Sequence, residues 1–209
     1  MSNPILSTAY LPPIEYFYYL DRNAKVKIEM HETFKKQTYR NRCLIYTEKG
    51  SMALTIPVFK PDGNHTKSNK IELFNSENWQ KHHWKAINSA YQASPFFLYY
   101  KDELEAFYTK EYKNLTKFNA ELTAILVELI GIEVEVSETK TFTIPKENDA
   151  NDLRYRISPK AESTIKEYKP YTQVFSDRYG FVENLSIIDL LFNLGPDTLS
   201  YLRSLNLPQ

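Results

Sequence analysis

Residues 114–131, NLTKFNAELTAILVELIG, constrain the fold of this chain more than any other stretch. Asn114 is a good helix cap. Leu115, Phe118, Leu122, Ile125, Leu126 and Leu129 recur at helical spacing, and Gly131 stands where a helix closes in the left-handed conformation. A helix with one apolar stripe must bury it against another layer. Strand patterns supply that layer. IEVEVSETK follows the helix directly. AKVKIEM at 24–30 alternates Val26, Ile28 and Met30 with Lys25, Lys27 and Glu29, the period of a half-buried strand.

The remaining pattern is read the same way. Residues 5–11 predict a short buried strand ended by Pro12 and Pro13, and Ile14, Phe17, Tyr18 and Leu20 a short helix after it. CLIYTEKGSMALTIPVF places two β-rich runs around Lys49-Gly50, which predicts a hairpin with glycine in the left-handed region. A turn-rich loop (60–69) and a short strand (70–74) follow. Trp79, His83, Ile87 and Tyr91 then fall on one helical face. Ser94-Pro95 predicts the cap and first residue of the next helix. Residues 138–170, polar and holding three prolines, predict a surface excursion, and YTQVFS (171–176) a last short strand. LSIIDLLFNLGPDTLSYLRSL predicts two helices broken at Gly195-Pro196. The expected fold is α/β in the mixed α+β sense. It is one domain over 1–209, with a small central sheet that includes a hairpin and several flanking helices.

Composition narrows the function. Twenty-six basic residues balance 26 acidic ones, which argues against a nucleic-acid partner. One cysteine excludes an internal disulfide and a cysteine-built zinc site, and fits a reducing compartment. The opening residues show no signal-peptide pattern, and no apolar run is long enough to span a membrane, so a cytoplasmic protein without a membrane span is expected. The five glycines are never closer than 13 positions. Phosphate-binding loops and the nucleophile elbow need them within a turn, so the common nucleotide-binding and hydrolase motifs are absent.

Five features have both a structural and a chemical reading. His83, on the apolar face of its helix, is a satisfied core histidine or a general base. His82 beside it points about 100° away, so the pair cannot chelate one metal, and no metal or cofactor is expected. Cys43, with Arg40 and Arg42 nearby in sequence, is a candidate nucleophile, but it sits within a strand pattern and reads rather as a small buried residue. Ser186 and Asp189 match a capping box, while Asn193 near the end of that helix is less easily explained as core. HETFKKQTYRNRC (31–43) holds four basic residues against one acidic. Arg42 beside Asn41 is suited to clamping a phosphate or carboxylate, against the alternative of a solvated face.

Several blocks together resemble the WbqC-like protein family. They are AYLPPIEYF (9–17), FKKQTYRNR (34–42), LTIPV (54–58), NWQKHHWKAINSAYQASPFF (78–97), YTQVF (171–175) and LSIIDLLFNLGP (185–196). Tyr10 and Pro12 match the family's Y-L-P motif. Lys36, Asn41 and Arg42 match its basic segment. Trp79, His83 and Tyr91 match its W-x3-H-x7-Y pattern, and Ser186, Asp189 and Asn193 its last block. The chain departs where Met30-His31 replaces a frequent acidic pair, where Tyr39 replaces a tryptophan, and where 138–170 is short and lacks glycine. The resemblance implies a role in surface-polysaccharide assembly, with acyl or aminoacyl (glycyl) transfer to a sugar or related small acceptor. On that footing His83 is the expected base and Asp189 its orienter or a second acid–base group. Lys36 and Arg42 form an anion clamp, and Asn41, Asn193, Tyr91 and Tyr10 contact substrate. The expected partner is a small molecule, a sugar or an anionic donor, and an oligomer is compatible with the sequence. The rival expectation is a non-catalytic module that holds an anionic sugar or nucleotide-sugar, or docks on a partner enzyme.

Overall fold

Local signals decide most of the elements. In the computed structural model, which describes residues 3–145 and 149–206, the chain runs β1 (Ile5–Ser7), α1 (Ile14–Asp21), β2 (Lys25–Glu29), β3 (Arg42–Thr47), β4 (Gly50–Thr55), β5 (Val58–Phe59) and β6 (Glu72–Leu73). It continues through α2 (Trp79–Tyr91), α3 (Phe97–Thr109), α4 (Leu115–Ile130), β7 (Glu135–Glu138), α5 (Ser176–Tyr179), α6 (Ile187–Leu194) and α7 (Thr198–Ser204). Positions 146–148, within the expected excursion, and 1–2 and 207–209, within the expected domain span, lie outside the described residues.

Helix α4 is closed at both ends as its residues dictate. Asn114 Oδ1 accepts from the Lys117 amide at 2.9 Å, and the Gly131 amide, at φ +80°, donates to the Val127 and Glu128 carbonyls. Leu115, Phe118, Leu122 and Leu126 are buried, while Ile125 and Leu129 sit at the edge of the core. Strands β1, β2 and β7 form a parallel sheet in the order β1-β2-β7, with Ile5 opposite Lys27 and Lys25 opposite Glu135. A parallel bridge between Ile5 and Asp152 extends this sheet past β1. The hairpin β3–β4 turns at Gly50 (φ +92°) and forms its own separate ladder, as do β5 and β6. The architecture is mixed α/β, with small sheets flanked by helices.

Three local expectations are corrected. Helix α3 begins at Phe97, after a turn in which the Phe97 amide donates to the Ser94 carbonyl. Ser94 therefore does not cap the helix, and Pro95 is not its first residue. Residues 171–176 form no strand. The Gln173 side-chain amide takes the place of a neighbouring strand, accepting from the Val182 amide and donating to its carbonyl at 2.9 and 2.8 Å, and α5 begins at Ser176. Segment 138–170 is only partly at the surface. It sends Leu153, Arg154, Ile157, Ile165 and Tyr168 inside, because the parallel bridge at Asp152 draws it along β1.

Candidate functional site

The helical spacing of α2 places Trp79, His83, Ile87 and Tyr91 on its buried face. His83 is 6% exposed. Its Nδ1 lies 2.9 Å from the Tyr10 hydroxyl, which lies 2.8 Å from the Tyr108 hydroxyl, and the ring also bonds the backbone of Thr55. Burial holds the imidazole down to about 4, so it is neutral at physiological pH, and burial pushes the Tyr10 phenol well above its ordinary value. The result is a neutral, hydrogen-bonded aromatic cluster completed by the Trp79 and Phe118 rings.

Asp189 is fully buried in α6. Its Oδ2 accepts from the Tyr171 hydroxyl at 2.6 Å and the Gln173 amide at 2.9 Å, and the Tyr91 hydroxyl faces the same carboxylate. Burial raises the carboxyl to about 6 even though all three donors favour the charged form. The expected capping box is not formed. The Ser186 hydroxyl makes no cap bond, and the Asp189 amide bonds the Ser186 carbonyl while its side chain turns inward. Asn193 donates to the Asp189 carbonyl at 2.7 Å, and Tyr91 accepts from the Tyr46 amide at 3.1 Å. Tyr91, Asp189 and Asn193 therefore gather in one cluster. Among the described residues His83 and Asp189 share no hydrogen-bond partner.

Segment 31–43 divides by position. Asn41 donates to the Ile56 carbonyl and its own carbonyl accepts from the Ile56 amide, both at 2.8 Å, which ties the start of β3 to the end of β4. Cys43 is buried and its thiol is pushed up by desolvation, as a packing residue should be. Arg42 reaches the Thr55 hydroxyl at 3.1 Å, and Lys36 is exposed. The exposed Lys35 covers the Tyr155 ring at 3.8 Å.

A second polar cluster, not expected from the sequence, stands at the carboxyl ends of the parallel strands. Open α/β sheets characteristically bind ligands there. Glu29, the last residue of β2, is fully buried. It accepts from the His31 amide at 2.7 Å, the Thr139 hydroxyl at 3.0 Å and Arg154 Nη1 at 2.7 Å. Arg154 also pairs with Asp152. Beside it Arg40 holds Glu32 through two bonds of 2.8 and 2.6 Å and reaches the Ser7 hydroxyl at 2.7 Å. The strand alternation placed Glu29 on the solvent face. It is buried because Arg154 arrives from 125 residues away, a distance that leaves no local pattern.

His31 stands at the rim of this cluster, half-buried. Its Nε2 lies 3.0 Å from the Thr139 carbonyl. A carbonyl only accepts, so Nε2 carries the proton and Nδ1 holds the lone pair of the neutral ring. Among the described residues nothing else bonds that ring. No group of three or more His, Cys, Asp or Glu side chains among them is arranged to hold a metal ion, and no helix is long and apolar enough to cross a membrane.

Comparison with known proteins accounts for nearly the whole chain. The uncharacterized protein Rv1507c of Mycobacterium tuberculosis (strain ATCC 25618 / H37Rv) is 27% identical over 226 residues, which cover 95% of this chain and 96% of that protein. No solved structure matches. The profile of the WbqC-like protein family matches residues 8–165 and 161–201, which include Asp189, Glu29, Glu32, Arg40 and Arg154. The chain belongs to the WbqC-like protein family.

Proposed function

We propose that the protein transfers an acyl or aminoacyl group, glycyl among them, to an amino or hydroxyl group of a sugar or related small acceptor in surface-polysaccharide assembly. The observation that carries this reading is His31, a half-buried histidine at the strand ends whose Nε2 bonds the Thr139 carbonyl and whose Nδ1 has no hydrogen-bond partner among the described residues. In the reaction Nδ1 takes the proton of the attacking amine or hydroxyl as it adds to the acyl carbonyl. The same proton passes to the leaving group as the bond to the donor breaks. Lys36 and Arg42 reach solvent and supply cationic contacts to an anionic donor. His83 and Asp189, with Tyr10, Asn41, Tyr91 and Asn193, act in this reading as positioning residues, since each is buried and holds at least one core group through a hydrogen bond. The acceptor class rests on the role in surface-polysaccharide assembly that the family resemblance implies.

The test is a mass-spectrometric assay with acetyl-coenzyme A or an activated glycyl thioester as donor and amino sugars as acceptors. The expected outcome is the acyl mass on the acceptor, with turnover falling by about 10²-fold or more in a folded His31→Ala variant. Full turnover in that variant removes His31 from the chemistry. A thermal shift with nucleotide-sugars and no product with any donor overturns the transferase reading in favour of a binding module.

A further inference from the structure

The opposite face of the parallel sheet carries a cleft that the transfer reaction does not use. Side chains alternate along β2, so Ile28 faces this cleft and Glu29 faces the ionic cluster. The cleft has a volume of about 350 Å³. Ala120, Ala124 and Val127 of α4 form one wall, and Ile28, Met30 and Val136 the other. It exists because α4 is asymmetric. Phe118, Leu122 and Leu126 fill the core, whereas the residues turned to β7 are too small to close the gap.

A groove of small residues alone would hold water. Asn119 makes this one specific. It lines the cleft and is 1% exposed. Its amide nitrogen donates to the Arg40 carbonyl at 2.8 Å and to the Thr8 hydroxyl at 3.0 Å. The carbonyl partner fixes which way the amide points, because a carbonyl only accepts. Oδ1 is thus a buried acceptor, and no hydrogen bond reaches it. A buried acceptor without a donor is costly, and a ligand N–H removes that cost. No lysine, arginine or histidine lines the cleft among the described residues, and its one charged lining side chain is Glu138. A carboxylate or phosphate finds no counter-charge there.

We propose that this cleft is a second binding site, for a small uncharged or cationic molecule that presents an N–H donor to Asn119 from a short apolar body. Primary amides and amines meet that description, and Glu138 adds a preference for ammonium. The site stands independently of the transfer reaction, on the other face of the sheet.

The test uses three molecules of nearly one size, butyramide, n-butylamine and butyrate, titrated into the isotopically labelled full chain and followed by backbone amide NMR. Butyramide, n-butylamine or both shift the amides of 116–127 and 134–138, and butyrate at equal concentration does not. Ala124 is exposed and Val136 is 46% exposed, so Ala124→Phe and Val136→Trp fill the cleft from either wall without entering the core. Each weakens binding at least tenfold, with the remaining spectrum unchanged as the check on folding. Absence of binding by both nitrogen compounds, butyrate binding within twofold of butyramide, or undiminished binding in both filled variants overturns the site.

Discussion

Asp189 shows how one buried group sets a pH dependence. Its carboxyl titrates at about 6 in the folded protein, above its ordinary 3.8. Between those values the folded chain holds a proton that the unfolded chain has lost. Stability from this group is therefore full below pH 3.8, falls as pH rises through about 6, and costs about 2–3 kcal/mol at neutrality. Asp189→Asn keeps an acceptor for Tyr171 and Gln173 and removes the charge. Urea unfolding should show it about 1–2 kcal/mol more stable than the parent at pH 7.5, with the gain vanishing at pH 4. A variant that loses stability at pH 7.5 contradicts this account. At this scale the sequence was legible in part. The spacing of Trp79, His83 and Tyr91 revealed one buried face of α2. The partners were hidden, because Tyr10, Tyr108 and Tyr171 come from distant parts of the chain and no spacing rule links them.

Among the elements, the α6–α7 corner is the most constrained. Gly195 has φ +54° and ψ −121°, a region that side chains with a Cβ strongly avoid. A Cβ built there would stand 2.5 Å from the Phe96 ring, whose own amide bonds the Phe192 carbonyl. Gly195→Ala should cost about 3 kcal/mol or more in chemical denaturation, from backbone strain and overpacking together. Gly50→Ala is the control. Its φ is also positive, but nothing lies within 4 Å, so about 1 kcal/mol is expected. Equal losses at the two sites would remove the Phe96 contact from the explanation. The Gly195-Pro196 break, the Gly50 hairpin and the two caps of α4 were all legible, since each is a local matter of φ or of one orphan amide. Residues 171–176 were not, because a strand needs a neighbour, and here a glutamine side chain occupies that place.

Across the whole molecule, Arg154 joins the backbone bridge at Ile5 in fastening the late segment to the first sheet. It is 2% exposed, and it pairs with Glu29 from β2 and Asp152 from the bridge beside β1. Removing one side of a buried pair leaves charge without compensation, so Arg154→Leu should destabilise by about 3–5 kcal/mol in urea unfolding. The same variant should be cleaved faster within 138–170 by limited proteolysis. Unchanged stability and cleavage would mean that the backbone bridge to Ile5 and the packing of Leu153 and Ile157 hold the segment without it.

The sequence by itself determined what depends on near neighbours. Caps, helical stripes and strand alternation specified the α/β class, and the order of motif blocks specified the family. Tertiary structure alone decided which polar groups meet. Arg154 buries Glu29, Thr139 orients His31, and Thr8 with the Arg40 carbonyl turns Asn119 Oδ1 free. Each of these contacts joins residues about 80 or more positions apart. Periodicity reports only which face a residue occupies, and the chemistry of a polar group is set by what the fold brings against that face.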